Sequence, residues 1–584
     1  DLDDASEGLL LMGEAATASA GIAVAHYKED LRHALQAARS AEKELNAFEG
    51  PIDAVVPYHF YMHMYWNLRA KWRWLLWDWT RRAPCDASTA VEPDEVVAGA
   101  RATVRVTLTL GPTPLGAGGR AAVYLPLSYG GYANHNSLMC FQGPTGQIGY
   151  GARITAEASR PDVHLETRVH STGSVFTCAE VIVRQGRLQE SNAITVVIGD
   201  PVCKPPMVCE KAKHLPLRVA LDYAGDDTFR PVRPNPTVRV VGGPAQRLRC
   251  FAPASPAPGE AISLRVVAAD LMNHNPSHAH TARLRFEADG PAAELPGAAE
   301  ITPDDHGSIE VPGLRLRAGG AGDAADVTRL RVLDETAGLM ARSNPICPAA
   351  VPEGLRLFYG EIHSHTELSD GSGTGEDNFY WARDVEGLDF AALADHHEYG
   401  QSYNYTQEAK WDLTKQLVER FHEPGRFVTL LGYEIGTVEK HRNVYFADGE
   451  GRMIVEGRDG ERVTMDNVFG KLAGTDYILI PHAPKFHGID WHRPHEPGRQ
   501  RLVEICSQWG ISEEGGYKSV RHALDLGYQF GFTGGTDNHV AEPGNPDQGG
   551  LTGLLAPDLT RQAVFDAVVD RRTFATTGPR MILA

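Results

Sequence analysis

The sequence lacks the pairings that cysteine chemistry needs. Its eight cysteines (Cys85, Cys140, Cys178, Cys203, Cys209, Cys250, Cys347 and Cys506) are scattered over 584 residues with no CxxC pair. Neither a disulfide framework nor a thiolate zinc site is therefore expected, and Cys203 and Cys209, across a Pro-rich turn, read as two free thiols. Long apolar runs are also missing. No stretch of about 18 apolar residues is present to span a bilayer, and the opening DLDDASEGLL is acidic where a signal peptide would be basic. A soluble, cytoplasmic protein is expected, with a removed leader left open because the chain starts without Met. Positive charge is in deficit: 56 Lys and Arg stand against 75 Asp and Glu, for a formal net charge of −19. That balance opposes long nucleic acids, whose binding requires a basic surface that releases counterions. A small phosphorylated substrate passes the same test, because bound cations neutralise a phosphate locally. There is no GK[ST] phosphate loop and no GxSxG nucleophile elbow.

What is present falls into three textures, and a chain of this length, 42% apolar and 22% charged, predicts three or four domains with their own cores. Residues 1–90 read as a helical arm. Ala, Glu, Lys and Leu surround Tyr27–Phe48, and the aromatic block YHFYMHMYWNLRAKWRWLLWDW, from Tyr58 to Trp79, holds five of the nine tryptophans. Arg69, Lys71, Arg73 and Asp78 bar this block from spanning a bilayer. Packing on the body or on a second subunit is expected, which makes the arm the candidate surface for a homo-oligomer, ahead of membrane contact. From 91 to 350, short alternating runs such as RATVRVTLTL (101–110), TVRVVGG (237–243) and AISLRVVAAD (261–270) predict antiparallel β-sandwich structure. Two modules are expected, 91–210 and 211–350, and the polar NHNPSHAH stretch (273–280) reads as a loop. From 351 to 584, strand-like runs alternate with helical spacing at Phe379–Val385, Thr406–Phe421, Tyr517–Leu526 and Thr560–Arg571. Seven such units imply an α/β barrel.

Metal-ligating residue types recur at the downstream ends of these strands. His363 and His365 (GEIHSH) are two apart, which puts both imidazoles on one face of a strand. Asp370 follows in a Gly-bearing turn. The next strands end in Asp395 and His396 (LADHH), Glu434 (LLGYE), His482 (LIPHAP), and Asp537 and His539 (GGTDNH), while His441 begins the strand after Glu434. Barrel enzymes collect catalytic groups from the C-terminal ends of several strands, so the recurrence is what one shared site would require. Imidazoles and carboxylates without thiolate suit divalent Zn, Mn or Fe. Asp395, His397 and Glu398 read as groups that orient ligands. The loop KFHGIDWHRPHEPGRQR (485–501) is a candidate pocket lining. His397, His487, His492 and His495 are the candidate proton donors, and Cys506 reads as a buried core residue.

The ordered motifs HxH, DH, a lone Glu, HAP and DxH resemble the polymerase-and-histidinol-phosphatase (PHP) superfamily of metal hydrolases over roughly residues 355–584. The GDP turn (199–201) and the SNPI junction before YGEIHSH resemble an uncharacterised family that couples β modules to such a domain. The resemblance implies a distorted (β/α)7 barrel with three adjacent metals. It places His363, His365, Glu434 and Asp537 on the first, Glu434, His441 and His482 on the second, and Asp370, His396 and His539 on the third. Glu434, Asp537 and His539 are the residues expected to act in catalysis.

The favoured expectation is hydrolysis of a small phosphomonoester or diester by a metal-bridging hydroxide. Hydrolysis of an amide, lactone or other carboxyl derivative is the alternative within enzymes. A non-catalytic binding protein stabilised by metals is the alternative outside them. No catalytic group is expected from residues 1–350.

Overall fold

A computed structural model describes residues 79, 82–125, 154–171, 177–199, 211–290, 292–316, 327–348, 351–369, 371–397, 407–437, 440–454, 463–482, 489–492, 496–513, 516–546 and 548–582. The expected helical arm, with its surface for self-association, lies outside these residues except at its end. There Trp79 is buried, with its ring 5.1 Å from that of Phe229. The described chain is multidomain and mostly β, with few helices. None of these helices is long and apolar enough to cross a membrane.

Alternation in the sequence becomes alternation in burial. Val104–Thr109 (VRVTLT) turns every second residue inward, as a half-buried strand must. It lies between Ser88–Glu92 and Ala193–Ile198, with Ile154–Ala158 on the far edge. A facing five-stranded sheet runs Arg230–Pro231, Arg218–Asp222, Arg120–Leu125, Thr177–Gln185, His164–Ser171. Val104, Val106, Val123, Val181, Ile194 and Val219 share the core between them. A second pair of four-stranded sheets, from Arg247 to Arg342, encloses another core around Leu264, Val266, Leu284 and Val332.

The change of partner strand does not fall at 210/211, where the two modules were expected to divide. Arg218–Asp222 pairs with Arg120–Leu125, and Thr237–Val241 pairs with Glu95–Val97, so strands up to Val241 belong to the first core. Prolines around 201–216 read locally as a linker. The fully buried RVALD strand beyond them is claimed by a partner about a hundred residues upstream, which no local pattern reveals.

Nine strands and five helices of the C-terminal region are labelled here. The strands are β1 (Arg356–Glu361), β2 (Phe390–Ala392), β3 (Val428–Thr437), β4 (Lys440–Phe446), β5 (Tyr477–Pro481), β6 (Leu502–Ser507), β7 (Gly531–Gly534), β8 (Leu551–Ala556) and β9 (Thr573–Thr576). The helices are α1 (Gly375–Tyr380), α2 (Gln407–Arg420), α3 (Met465–Lys471), α4 (Val520–Asp525) and α5 (Arg561–Val569). A seven-stranded half-barrel sheet has the order β5-β4-β3-β2-β1-β8-β9, and β6 pairs with β7 in a separate sheet. Strand β2 runs parallel to β1 and β3, but β4 is antiparallel to both its neighbours. The expected run of parallel strands is broken there because only residues 438 and 439 separate β3 from β4. So short a connection closes a hairpin and cannot make a crossover.

Burial on both faces explains the unbroken apolar runs. Leu431 and Tyr433 of β3 pack with Phe379, Leu417 and Val418, while Val428 and Leu430 pack on the opposite face with Val564, Phe565 and Val568. Gly360 of β1 is required by a close approach, since a Cβ there would stand 2.4 Å from the Phe390 carbonyl oxygen. Isolated parallel bridges join Ser364 to Asn538, His396 to Glu434, and His482 to Glu504. The strand ends that carry histidines are thereby drawn to one end of the sheet.

Candidate metal centre

Glu434 lies near the end of β3 with its carboxylate buried. Its Oε2 lies 3.1 Å from Nε2 of His363 and 3.1 Å from Nε2 of His365, both just beyond β1. Asp537, beyond β7, brings Oδ1 to 3.4 and 3.2 Å from the same two nitrogens. The other oxygen, Oε1, lies 3.1 Å from Nε2 of His482 and 3.7 Å from Nδ1 of His396, and it contacts Nδ1 of His441. His441 gets there because the hairpin sets it opposite Gly436, two residues along the strand from Glu434 and so on the same face. The His539 ring stacks on that of His365 at 4.2 Å, and His396 stacks on His365 at 4.7 Å.

These distances match the spacing of donors around a shared cation. An ion bonded to nitrogen and oxygen at about 2.0–2.2 Å keeps its ligand atoms roughly 3–3.5 Å apart. Nε2 of His365 and Nε2 of His482 are buried and make no hydrogen bond, although carboxylate oxygens stand beside them. Buried polar atoms without partners are costly. A cation shared with the neighbouring carboxylates would satisfy both nitrogens. Among the described residues, four groups have their ligand atoms within 4.8 Å: His363, His365, Glu434 and Asp537; His365, His396 and His539; His396, Glu434 and His441; and His363, His482 and Glu504.

Opposite charges in the cluster stabilise one another. Burial opposes ionisation of His363, yet Asp537, Glu504 and Glu434 outweigh it and hold its pKa well above the ordinary value. Burial likewise opposes His365, but Asp537 and Glu434 push it up to about 9. Glu434 is held well below the carboxylate range against its own burial by His396, His482 and His441.

Eight of the nine ligand candidates named from the sequence lie in these groups, and Asp370 lies outside the described residues. His396 shares one group with His365 and His539 and another with Glu434 and His441, so geometry alone does not confine it to the third metal. Asp395 does not bond a ligand ring. It accepts hydrogen bonds from Thr366 N, Thr366 Oγ1 and Ser369 Oγ, and so fastens the loop after His365. His397 is buried beside Tyr433. His492 is exposed, with its ring 5.8 Å from that of His522 on α4. Glu398, His487 and His495 lie outside the described residues. Cys506 is buried, its Sγ 3.6 Å from the Thr576 carbonyl.

Sequence reading missed Glu504 and Glu361. Glu504, on β6, lies 2.9–3.0 Å from Nδ1 of His363, the nitrogen that faces away from Glu434. Glu361 accepts from the backbone N–H of His363 and of Thr536, and burial pushes it up to about 7. The signal was present in LVEICS, since a carboxylate inside an apolar strand is expensive to bury without a partner. Gln508 and Trp509 were also missed. Both donate to the carbonyl of Asp537, with Nε1 of Trp509 at 3.0 Å.

A half-barrel whose strand ends bring histidines and carboxylates together defines a candidate site for metal ions. A family model described as a protein of unknown function (DUF3604) matches residues 545–584. An uncharacterised protein of Chlamydia pneumoniae is 27% identical over 256 residues, which cover 39% of this chain and 40% of that protein. One from Chlamydia trachomatis serovar D is 25% identical over 255 residues, with the same coverage. Each match thus spans about 40% of the relative's length. Among solved structures, a two-domain protein of Bacteroides vulgatus described as containing a predicted PHP-like metal-dependent phosphoesterase is 18% identical. Its TM-score is 0.29, over 39% of this chain and 67% of that one. InvD of Yersinia pseudotuberculosis is 11% identical, with a TM-score of 0.20 over 46% and 62% of the two chains. Superpositions this loose carry no weight on fold or function.

Proposed function

We propose that the C-terminal region is a metal-dependent hydrolase whose substrate is a small phosphomonoester or phosphodiester. The carrying observation is Glu434, whose two oxygens face two different sets of imidazoles in a buried cluster. His363, His365, Asp537 and Oε2 of Glu434 would hold one cation, and His441, His482 and Oε1 a second. His396 and His539, with Asp370 expected beside them, would hold a third. The nitrogen and oxygen donors, without thiolate, suit Zn²⁺, Mn²⁺ or Fe. When bound, such cations supply Lewis acidity to a phosphoryl oxygen and lower the pKa of water.

The chain's own groups hold the arrangement in place. Glu504 accepts from Nδ1 of His363, which fixes the tautomer and leaves Nε2 facing Glu434. Gln508 and Trp509 hold the carbonyl of Asp537 while its carboxylate faces the histidines. We further infer that β1–β7 form the distorted seven-stranded barrel, with the His482–Glu504 and Ser364–Asn538 bridges spanning the gaps between the two sheets.

Elemental analysis of the purified chain, combined with a phosphate-release assay on simple phosphomonoesters and diesters, tests the reading. Two or three equivalents of metal with phosphate release are expected. Hydrolysis of lactones or amides in place of phosphoesters would move the substrate class to carboxyl derivatives. Absence of bound metal would overturn the reading.

A further inference from the structure

We propose that Lys213 and Lys211, two lysines of the β-rich N-terminal half, are positioning residues of the metal centre, an inference that rests on the metal-binding reading above. Lys213 is 3% exposed, and its Nζ donates to Ser372 Oγ at 3.1 Å and to the Val540 carbonyl at 3.3 Å. Those partners belong to two different loops. Residues 366–373 follow His365, and residues 537–542 carry Asp537 and His539. The loops already clasp each other, with Ser372 N–H donating to His539 O at 3.0 Å and His365 N–H to Asn538 O at 2.8 Å. Lys213 spans the clasp from outside. Lys211 is 5% exposed and pairs at 3.2 Å with Glu542 Oε2, which also accepts from the side-chain amides of Asn273 and Asn545. Arg218, from the same stretch (KAKHLPLR, 211–218), pairs at 2.5 Å with Glu367, the second residue after His365.

These cations reach the least self-supporting ligands. His363, Glu434 and His482 lie in or directly after strands with ladder bonds. Asp537 and Ala541, in contrast, have φ of 49° and 58°, a left-handed conformation that non-glycine residues hold only when their surroundings impose it. A buried ammonium has given up hydration, so its bonds to the loops are strong and directional. Removing them frees the loop that bears His539 to shift, and a ligand displaced by about 1 Å no longer serves its site. The expected casualty is the group formed by His365, His396 and His539, while the donors carried in or beside strands, Glu434, His441 and His482, persist.

The test uses the full chain and measures metal equivalents and affinity, with circular dichroism and thermal melting as the folding readout. Lys213→Met is expected to stay folded and to lose one equivalent of metal, or to bind its weakest ion about 10–100-fold less tightly, the usual effect of losing an outer partner. Lys211→Met should act in the same direction. Ser372→Ala removes a hydroxyl that also donates to the His539 carbonyl at 3.5 Å, so Lys211→Met is the variant that decides the matter by the same readout if Lys213→Met does not fold. Arg249→Met is the control. It breaks a different contact between the two halves, the paired bonds of Arg249 to Glu386 at 2.5 and 2.6 Å, and is expected to lower the melting temperature yet keep every ion. Full metal content and affinity in folded Lys213→Met overturns the proposal, as does equal metal loss in Arg249→Met. A wild-type chain that binds no divalent metal refutes the metal reading itself, before the lysines come into question.

Discussion

Each oxygen of the Glu434 carboxylate faces its own set of imidazoles, and this determines what a conservative change should do. Glu434→Gln preserves shape and removes the charge that offsets two adjacent cations, about 3.5–4 Å apart in such sites. The expected outcome is loss of roughly two metal equivalents and of nearly all hydrolysis, read by elemental analysis and the phosphate assay. Retention of full metal content would show that the carboxylate does not bridge. Glu504→Gln is a subtler change. The amide can still accept from Nδ1–H of His363 but, being uncharged, no longer raises the basicity of Nε2, so metal affinity should fall about 10–100-fold with the fold intact. Unchanged affinity in a metal titration would remove Glu504 from the centre. Most of the ligand candidates were legible because they end strands in recognisable short motifs. Glu504 was not, because a single Glu between Val503 and Ile505 has no motif, and only the chain's return past His363 gives it a role.

Among the elements, helices near 407–420 and 561–569 were legible from spacing, and their ends follow local chemistry. Thr560 caps α5 by accepting from Ala563 N–H, and Thr374 with Asp377 forms a capping box on α1. Asp377 also receives the backbone N–H of His214 at 2.9 Å and lies 2.7 Å from its Nδ1, tying a sandwich strand to α1. The hydrogen bond to Asp377 raises the His214 pKa above its ordinary value despite burial. A folded pKa above the unfolded one, about 6.5, means this contribution is complete below about pH 6.5 and is lost as pH rises through the folded value. His214→Ala should therefore cost most stability at mildly acidic pH and progressively less at higher pH. The imidazole is half-exposed and screened, so the difference is about 1 kcal/mol or less in urea unfolding. A cost independent of pH would refute the pairing as the source. The reversed strand β4 was not legible, because direction depends on the length of the β3–β4 connection and alternation within a strand carries no sign.

For the molecule as a whole, the proposed metal centre would couple folding to metal, because its carboxylates and imidazoles are brought together only by the fold. A ligand bound only by the folded state stabilises it by RT ln(1 + [L]/Kd), about 2.7 kcal/mol at a hundredfold excess over Kd. Chelation should lower the melting temperature of the wild-type chain, and Glu434→Gln should respond much less. Calorimetry with and without chelator checks this, and an unchanged wild-type melt would count against metal binding. No catalytic group is expected from residues 1–350, yet that region does touch the candidate site from outside. Lys211, Lys213 and Arg218 reach the loops that hold ligand candidates, although none of the three is in a ligand group.

The sequence by itself determined the β-rich first half, the alternation of strand and helix in the second, and the residue types at the strand ends. All three are written in local periodicity and short motifs, which act over a few residues. Tertiary structure alone decided that strands up to Val241 join the first core, that β4 runs backward, and that Glu504 meets His363. It also decided that Lys211 and Lys213, from the β-rich half, bond to the loops of the candidate metal centre. Those outcomes depend on which distant surfaces pair once the chain collapses, and a contact between residues hundreds of positions apart leaves no periodic trace in either segment.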